Sequence, residues 1–239
     1  MICRKTTCKK TARAAVALYL FLIFVFPAAA AQWSHEESDL APDPRIVWGR
    51  LEKGFRYVLM QNTEPEDRVG LHLNVQAGSL HEREDERGIA HFLEHLMFKG
   101  TKRRPNTLAI TKELDSVGAS FNAFTGKDHT GYYIKIDATK VNNAIDLLKD
   151  MLFHSKFDPV EMKREKSVII EEINMYEDNP MMYAEDLLEQ VMFDGNTLGW
   201  EIAGSRQSVL KMKRRKVLAF RDRCYVPERM VIAVAGKVD

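Results

Sequence analysis

The chain has 239 residues, 45% of them hydrophobic and 29% charged, with a formal net charge of +1. That composition excludes disorder as the ground state and suffices for one good core or two small ones. The charge is unevenly placed: residues 1–31 hold five Lys and Arg and no acidic residue, so the remainder has 30 basic against 34 acidic residues, a net −4 that leaves no footprint for nucleic acid.

Arg4, Lys5, Lys9, Lys10 and Arg13 precede an uncharged run over residues 14–26, followed by Pro27 and four alanines at 28–31. This is the pattern of a secretory signal, residues 1–31, with cleavage expected after Ala31 and a secreted or periplasmic destination. A transmembrane anchor is the rival, because the uncharged run through Ala31 reaches the lower length limit for a span. Pro27 and the A-x-A site favour the signal, and no stable membrane insertion is expected after cleavage. Cys3 and Cys8 leave with it. Cys224 then stands alone, and without a nucleophile motif it reads as a packing residue.

Residues 32–44 form a polar, proline-punctuated leader, and folded structure is expected over residues 45–239. Two alternating runs in IVWGRLEKGFRYVLMQN flank Glu52, Lys53 and Gly54 and predict a hairpin. Residues 68–77 predict a third strand, with Val69, Leu71, Leu73 and Val75 on one face and His72 on the polar one. A helix carries GIAHFLEHLMFKGT (88–101), and a second covers residues 106–117. Strands follow at 119–125 and 130–137. Helices are expected at 138–153, 159–176, 181–193 and 207–223, and a buried strand at 231–236. The run KMKRRK (211–216) falls in the last helix as a solvated face. The order predicts an α+β fold, a layered mixed or antiparallel sheet with helices packed on one face.

Within the first helix, His91 and His95 are four apart and share one face, and Glu94 lies on the same side. Two imidazoles begin a zinc site, but a catalytic one needs a third protein ligand and an open position. The order H-x-x-E-H inverts the H-E-x-x-H zinc helix. A polar helical stripe is the alternative, but Ile89, Phe92, Leu93, Leu96, Met97 and Phe98 make the helix apolar almost all round. Buried His and Glu are costly unless paired or metal-bound. The segment MKREKSVIIEEINMYED supplies candidate carboxylates. Glu165 and Glu172, seven apart, lie about 20° from perfect alignment, whereas Glu171 is turned by about 100° from Glu172. Glu172 with Glu165 is therefore the ligand-and-support pair, and Glu171 a solvated or second-sphere neighbour. Without the histidine motif, this segment reads as a plain charged face.

HFLEHLMFKGT, NAFTGKDHTGYY, REKSVIIEEINMYEDNP and CYVPERMVIAVAGKVD resemble successive blocks of the pitrilysin/insulinase family of inverzincin metallopeptidases, which includes the mitochondrial processing peptidases. The resemblance spans residues 45–239. It implies one Zn2+ per chain held by His91, His95 and Glu172, with Glu94 and Glu165 as the catalytic carboxylates, general base and support respectively. Lys166 stands where many members have Arg. The resemblance also implies that the strand 119–125 lies at a sheet edge and holds a peptide substrate through Asn122, Ala123 and Phe124. On its own that segment is an ordinary edge strand.

The implied activity is zinc-dependent endopeptidase hydrolysis of extended or unfolded peptides. Family members carry further domains that close over the peptide, so residues 45–239 correspond to the N-terminal domain, and a homologous second domain or subunit is the expected partner. Three alternatives stay open. They are a noncatalytic scaffold subunit, a fragment inactive without its second domain, and a small-molecule hydrolase or lyase such as S-ribosylhomocysteine lyase, whose site uses a Cys.

Overall fold

The computed structural model describes residues 33–238, and the expected signal segment lies outside the described residues. Strands β1 (Ile46–Arg50) and β2 (Arg56–Gln61) form the expected hairpin, with Lys53 and Gly54 at positive φ in the turn. Strand β3 (Arg68–Val75) is followed by helices α1 (Ile89–Met97) and α2 (Thr107–Asp115). Then come β4 (Ser120–Thr125), β5 (Thr130–Asp137), α3 (Val141–His154), α4 (Pro159–Asp178), α5 (Pro180–Met192), α6 (Arg206–Lys211), α7 (Arg214–Cys224) and β6 (Met230–Gly236).

One mixed sheet runs in the order β1-β2-β6-β3-β5-β4. The last strand inserts between β2 and β3, parallel to the first and antiparallel to the second. The alternation of β3 sets which face is covered. Val69, Leu71, Leu73 and Val75 are at most 1% exposed, and Leu71 lies opposite Ile134 of β5 and Val234 of β6. Onto that face pack Phe92, Leu93 and Leu96 of α1, Leu114 of α2, Leu147 of α3, Ile169 of α4 and Phe220 of α7. His72 sits on the open face, stacked on Tyr133 at 5.6 Å. The fold is thus α+β with helices layered on one face of the sheet.

Two expectations change. The helix expected over 207–223 is two helices broken at Met212, whose side chain is buried. Lys166 Nζ, from α4, takes the carbonyls of Leu210 and Met212 at 2.8 and 2.7 Å, and so satisfies acceptors that the break sets free. KMKRRK therefore straddles the break and is not a single helical face, although Lys211, Lys213, Arg214 and Arg215 remain exposed. Residues 138–140 form a 3-10 turn capped by the Asp137 side chain, and α3 starts only at Val141.

Cys224 is buried at the end of α7. Among the described residues, no helix is long and apolar enough to cross a membrane.

Candidate metal centre

Helix α1 begins at Gly88, where φ is +86° and a Cβ would lie 2.4 Å from the Ala203 carbonyl oxygen, so a side chain there is excluded twice over. The buried Glu82 carboxylate accepts from Gly88 N (2.8 Å) and Ala90 N (2.9 Å), serving amides that a helix start leaves unpaired. Burial pushes its carboxyl up to about 8. Helix α4 starts on an Asp158 cap with Pro159 in its first turn and brings Glu165 and Glu172 against α1.

Three donor atoms converge between these helices. His91 Nε2 and His95 Nε2 are 3.2 Å apart, and Glu172 Oε2 lies 3.7 and 3.5 Å from them. Among the described residues, this trio is the one metal-competent cluster, with all ligand atoms within 4.8 Å of one another. Tetrahedral zinc with bonds of about 2.0–2.1 Å separates its ligand atoms by about 3.3 Å, so the trio fits that ion without rearrangement. Burial and the neighbouring His95 push the His91 imidazole down to about 4, which leaves it neutral as a ligand must be. Its Nδ1 is buried with no protein partner among the described residues.

Glu165 does not join the trio. Its Oε2 lies 3.1 Å from His95 Nδ1 and its Oε1 2.8 Å from Lys99 Nζ, so the carboxylate orients His95 from behind and turns Nε2 toward the centre. Burial raises the Glu165 carboxyl, but the bonds to His95 and Lys99 outweigh it and hold the group below its ordinary value. Burial lowers the His95 imidazole, and here the Glu165 bond and the charges of Glu172 and Glu94 win, holding it above its ordinary value. Bound zinc would take the place of that proton.

Glu94 stands beside the trio without belonging to it. It is 9% exposed, and its Oε2 accepts from Thr125 Oγ1 at 2.6 Å. Burial raises its carboxyl, only partly offset by the Thr125 bond. Glu171 is exposed and bonded to Asn174, away from the cluster.

Thr125 ends β4, which lies at the free edge of the sheet. Asn122 and Phe124 are exposed and Ala123 is half-buried. Asn122 Oδ1 accepts from Ala123 N at 2.9 Å, so an added strand must compete for that donor.

A cavity of about 370 Å3 is lined by His91, Glu94, Ala123, Phe124 and Thr125. Asp186, Glu189 and Glu201 also line it. Lys127, the one Lys or Arg in the lining, already pairs with Glu189 at 2.7 Å. Burial, then the like charges of Glu189 and Asp186, raise the carboxyls of Asp186 and Glu201.

Lys99, Thr125 and Glu82 also bear on the site, and the sequence alone did not mark them. Lys99 lies four residues after His95, a spacing that marks a shared helical face. Thr125 and Glu82 act across elements distant in sequence and carry no local signal.

Residues 57–206 match the sequence model of the insulinase family, peptidase family M16. The chain is 38% identical over 187 residues to the "uncharacterized zinc protease YmxG" of Bacillus subtilis, covering 78% of this chain and 45% of that protein. It is 34% identical over 200 residues to the mitochondrial-processing peptidase subunit beta of Dictyostelium discoideum, covering 84% and 42%. Its fold matches the crystal structure of the periplasmic protease PqqL from Escherichia coli with a TM-score of 0.77 and 28% identity, over 84% of this chain and 23% of that one. The chain thus spans less than half the length of these relatives.

Proposed function

This chain belongs to the insulinase family of peptidases, and on that premise we propose that it is the zinc-binding catalytic half of an endopeptidase that hydrolyses extended or unfolded peptides. One observation carries the reading: His91 Nε2, His95 Nε2 and Glu172 Oε2 converge within 4.8 Å at zinc spacing, while Glu94, outside the ligand set, lines a cavity together with His91. One ion per chain is the expected stoichiometry. Bound zinc supplies a water of lowered pKa and polarises the scissile carbonyl.

The residues of the chain do the remaining work. Glu94 takes a proton from the attacking water and passes it to the leaving amine, work suited to a carboxylate beside the ligands and not among them. Glu165 and Lys99 keep His95 turned toward the centre. The free edge of β4 orients the peptide through backbone pairing at Ala123, which accepts many side chains. The acidic lining of the cavity favours a basic side chain near the scissile bond.

A homologous second domain or subunit completes the enzyme by closing over the peptide and excluding water. The signal at residues 1–31 directs the chain to a secreted or periplasmic site.

The test is cleavage of a quenched fluorescent peptide by the chain before chelation, after chelation and after zinc is restored. Activity lost and regained with zinc is the expected result, slow for this chain alone. Supplying the second half, in cis or as a separate chain, raises it by orders of magnitude. Turnover indifferent to chelator refutes the reading, and vigorous turnover unchanged by any partner refutes the need for a second half.

A further inference from the structure

Thr125 Oγ1 donates to Glu94 Oε2 at 2.6 Å, while Glu94 Oε1 has no hydrogen-bond partner among the described residues. The frame around this contact is rigid. Thr125 is β-branched, so its χ1 is stiff and the hydroxyl has little freedom to leave. Its register partner Thr130 is buried and donates to the Ala77 carbonyl at 2.7 Å. Next in the chain, Gly126 N donates to His129 O at 2.8 Å, closing the turn between β4 and β5.

Ser79 N and Leu80 N donate to Gly126 O (3.2 Å) and Lys127 O (2.8 Å), which ties that turn to the segment ahead of α1. A Cβ on Gly78 would lie 2.4 Å from Gly126 O, so glycine alone lets the two backbones lie this close. The same segment carries Glu82, which holds the first amides of α1. Hydroxyl and carboxylate are therefore joined twice, once directly and once through the backbone that delivers both.

We propose that Thr125 is a positioning residue for Glu94, fixing Oε2 so that Oε1 is the oxygen presented to the cavity, and that it couples the peptide-receiving strand to the base. The inference rests on the reading of Glu94 as the base and adds how that base is held. It follows from the strand's alternation: Ala123 and Thr125 lie two apart and share the face toward α1. A peptide seated at Ala123 is thereby placed in register with the carboxylate that Thr125 holds.

The test compares Thr125→Val, which keeps the shape and removes the hydroxyl, with Thr125→Ser, which keeps the hydroxyl. Thr125→Ala replaces the valine variant if that variant does not fold. The first readout is crystallographic. The Glu94 carboxylate is expected to leave its position, or to take more than one orientation, in Thr125→Val and to return in Thr125→Ser. Zinc content is expected to stay at the wild-type level in both. The second readout is kinetic, on the peptide-cleaving zinc form: kcat falls about 10- to 100-fold in Thr125→Val with KM little changed, and serine recovers most of the loss.

An unmoved Glu94 carboxylate in the valine variant overturns the proposal. So does a serine variant as impaired as the valine one, or an effect confined to KM. Should the wild-type protein cleave no peptide, the proposed function falls, and the crystallographic comparison still decides the role of Thr125.

Discussion

Glu165→Gln probes how a proposed zinc ligand is held. The two carboxylate oxygens face two donors, His95 Nδ1–H at 3.1 Å and the Lys99 ammonium at 2.8 Å. Glutamine has one acceptor oxygen, so its NH2 must point at one of those donors. The group is 4% exposed, and little water is available to relieve the clash. Losing a hydrogen bond to a charged group costs about 1.5–3 kcal/mol. Removing the partner of a metal-bound histidine weakens metal binding about 10- to 100-fold, equivalent to about 1.4–2.7 kcal/mol.

The two magnitudes agree, so the zinc Kd should rise about 10- to 100-fold without binding being abolished, because all three ligands remain. A chelator-competition titration of metal-stripped protein measures this, with Glu171→Gln as the exposed control that leaves Kd unchanged. A Glu165→Gln Kd within about twofold of wild type would refute the claim that this carboxylate tunes His95.

Glu94→Gln should keep its zinc by metal analysis while losing hydrolysis about 10²-fold or more in a peptide assay, as expected for a removed general base. Glu82 predicts a pH dependence of stability: its carboxyl is raised from 4.5 to about 8, so its contribution is fully present below about pH 4.5 and is lost as pH rises through about 8. Unfolding free energies from denaturant titrations should fall across that window by up to about 1.4 kcal/mol per pH unit, and Glu82→Gln should flatten the fall; identical slopes would count against it. Replacing Asp186 and Glu201 by their amides should lower kcat/KM about tenfold for peptides with Arg or Lys beside the scissile bond and leave neutral peptides unaffected, as a substrate panel would reveal.

The helical layer and the meeting of His91, His95 and Glu172 were legible because each rests on local periodicity. The β3 alternation could be read because only one of its faces is covered, and His72 fell on the open one as expected. The seven-residue spacing placed Glu165 and Glu172 on one face of α4, and both meet the histidine helix there.

The insertion of β6 between β2 and β3 was not legible. It depends on a parallel register, Arg56 opposite Val231, set between segments far apart in sequence. The break at Met212 was hidden for a similar reason. The residues there suit a continuous helix, and what favours two is a buried Met212 and a lysine arriving from α4. Thr125 was not legible because a strand-ending threonine gains meaning only once α1 is laid beside it.

His91, His95 and Glu172 are proposed to hold one zinc ion, with Glu94 beside it and unbound. A crystal of the zinc-loaded protein, measured on either side of the zinc absorption edge, tests this most directly. The expected result is a single anomalous peak about 2.0–2.1 Å from His91 Nε2, His95 Nε2 and one Glu172 oxygen, with both Glu94 oxygens outside bonding distance. A peak elsewhere, no peak, or one ligated by Glu94 in place of Glu172 would contradict it.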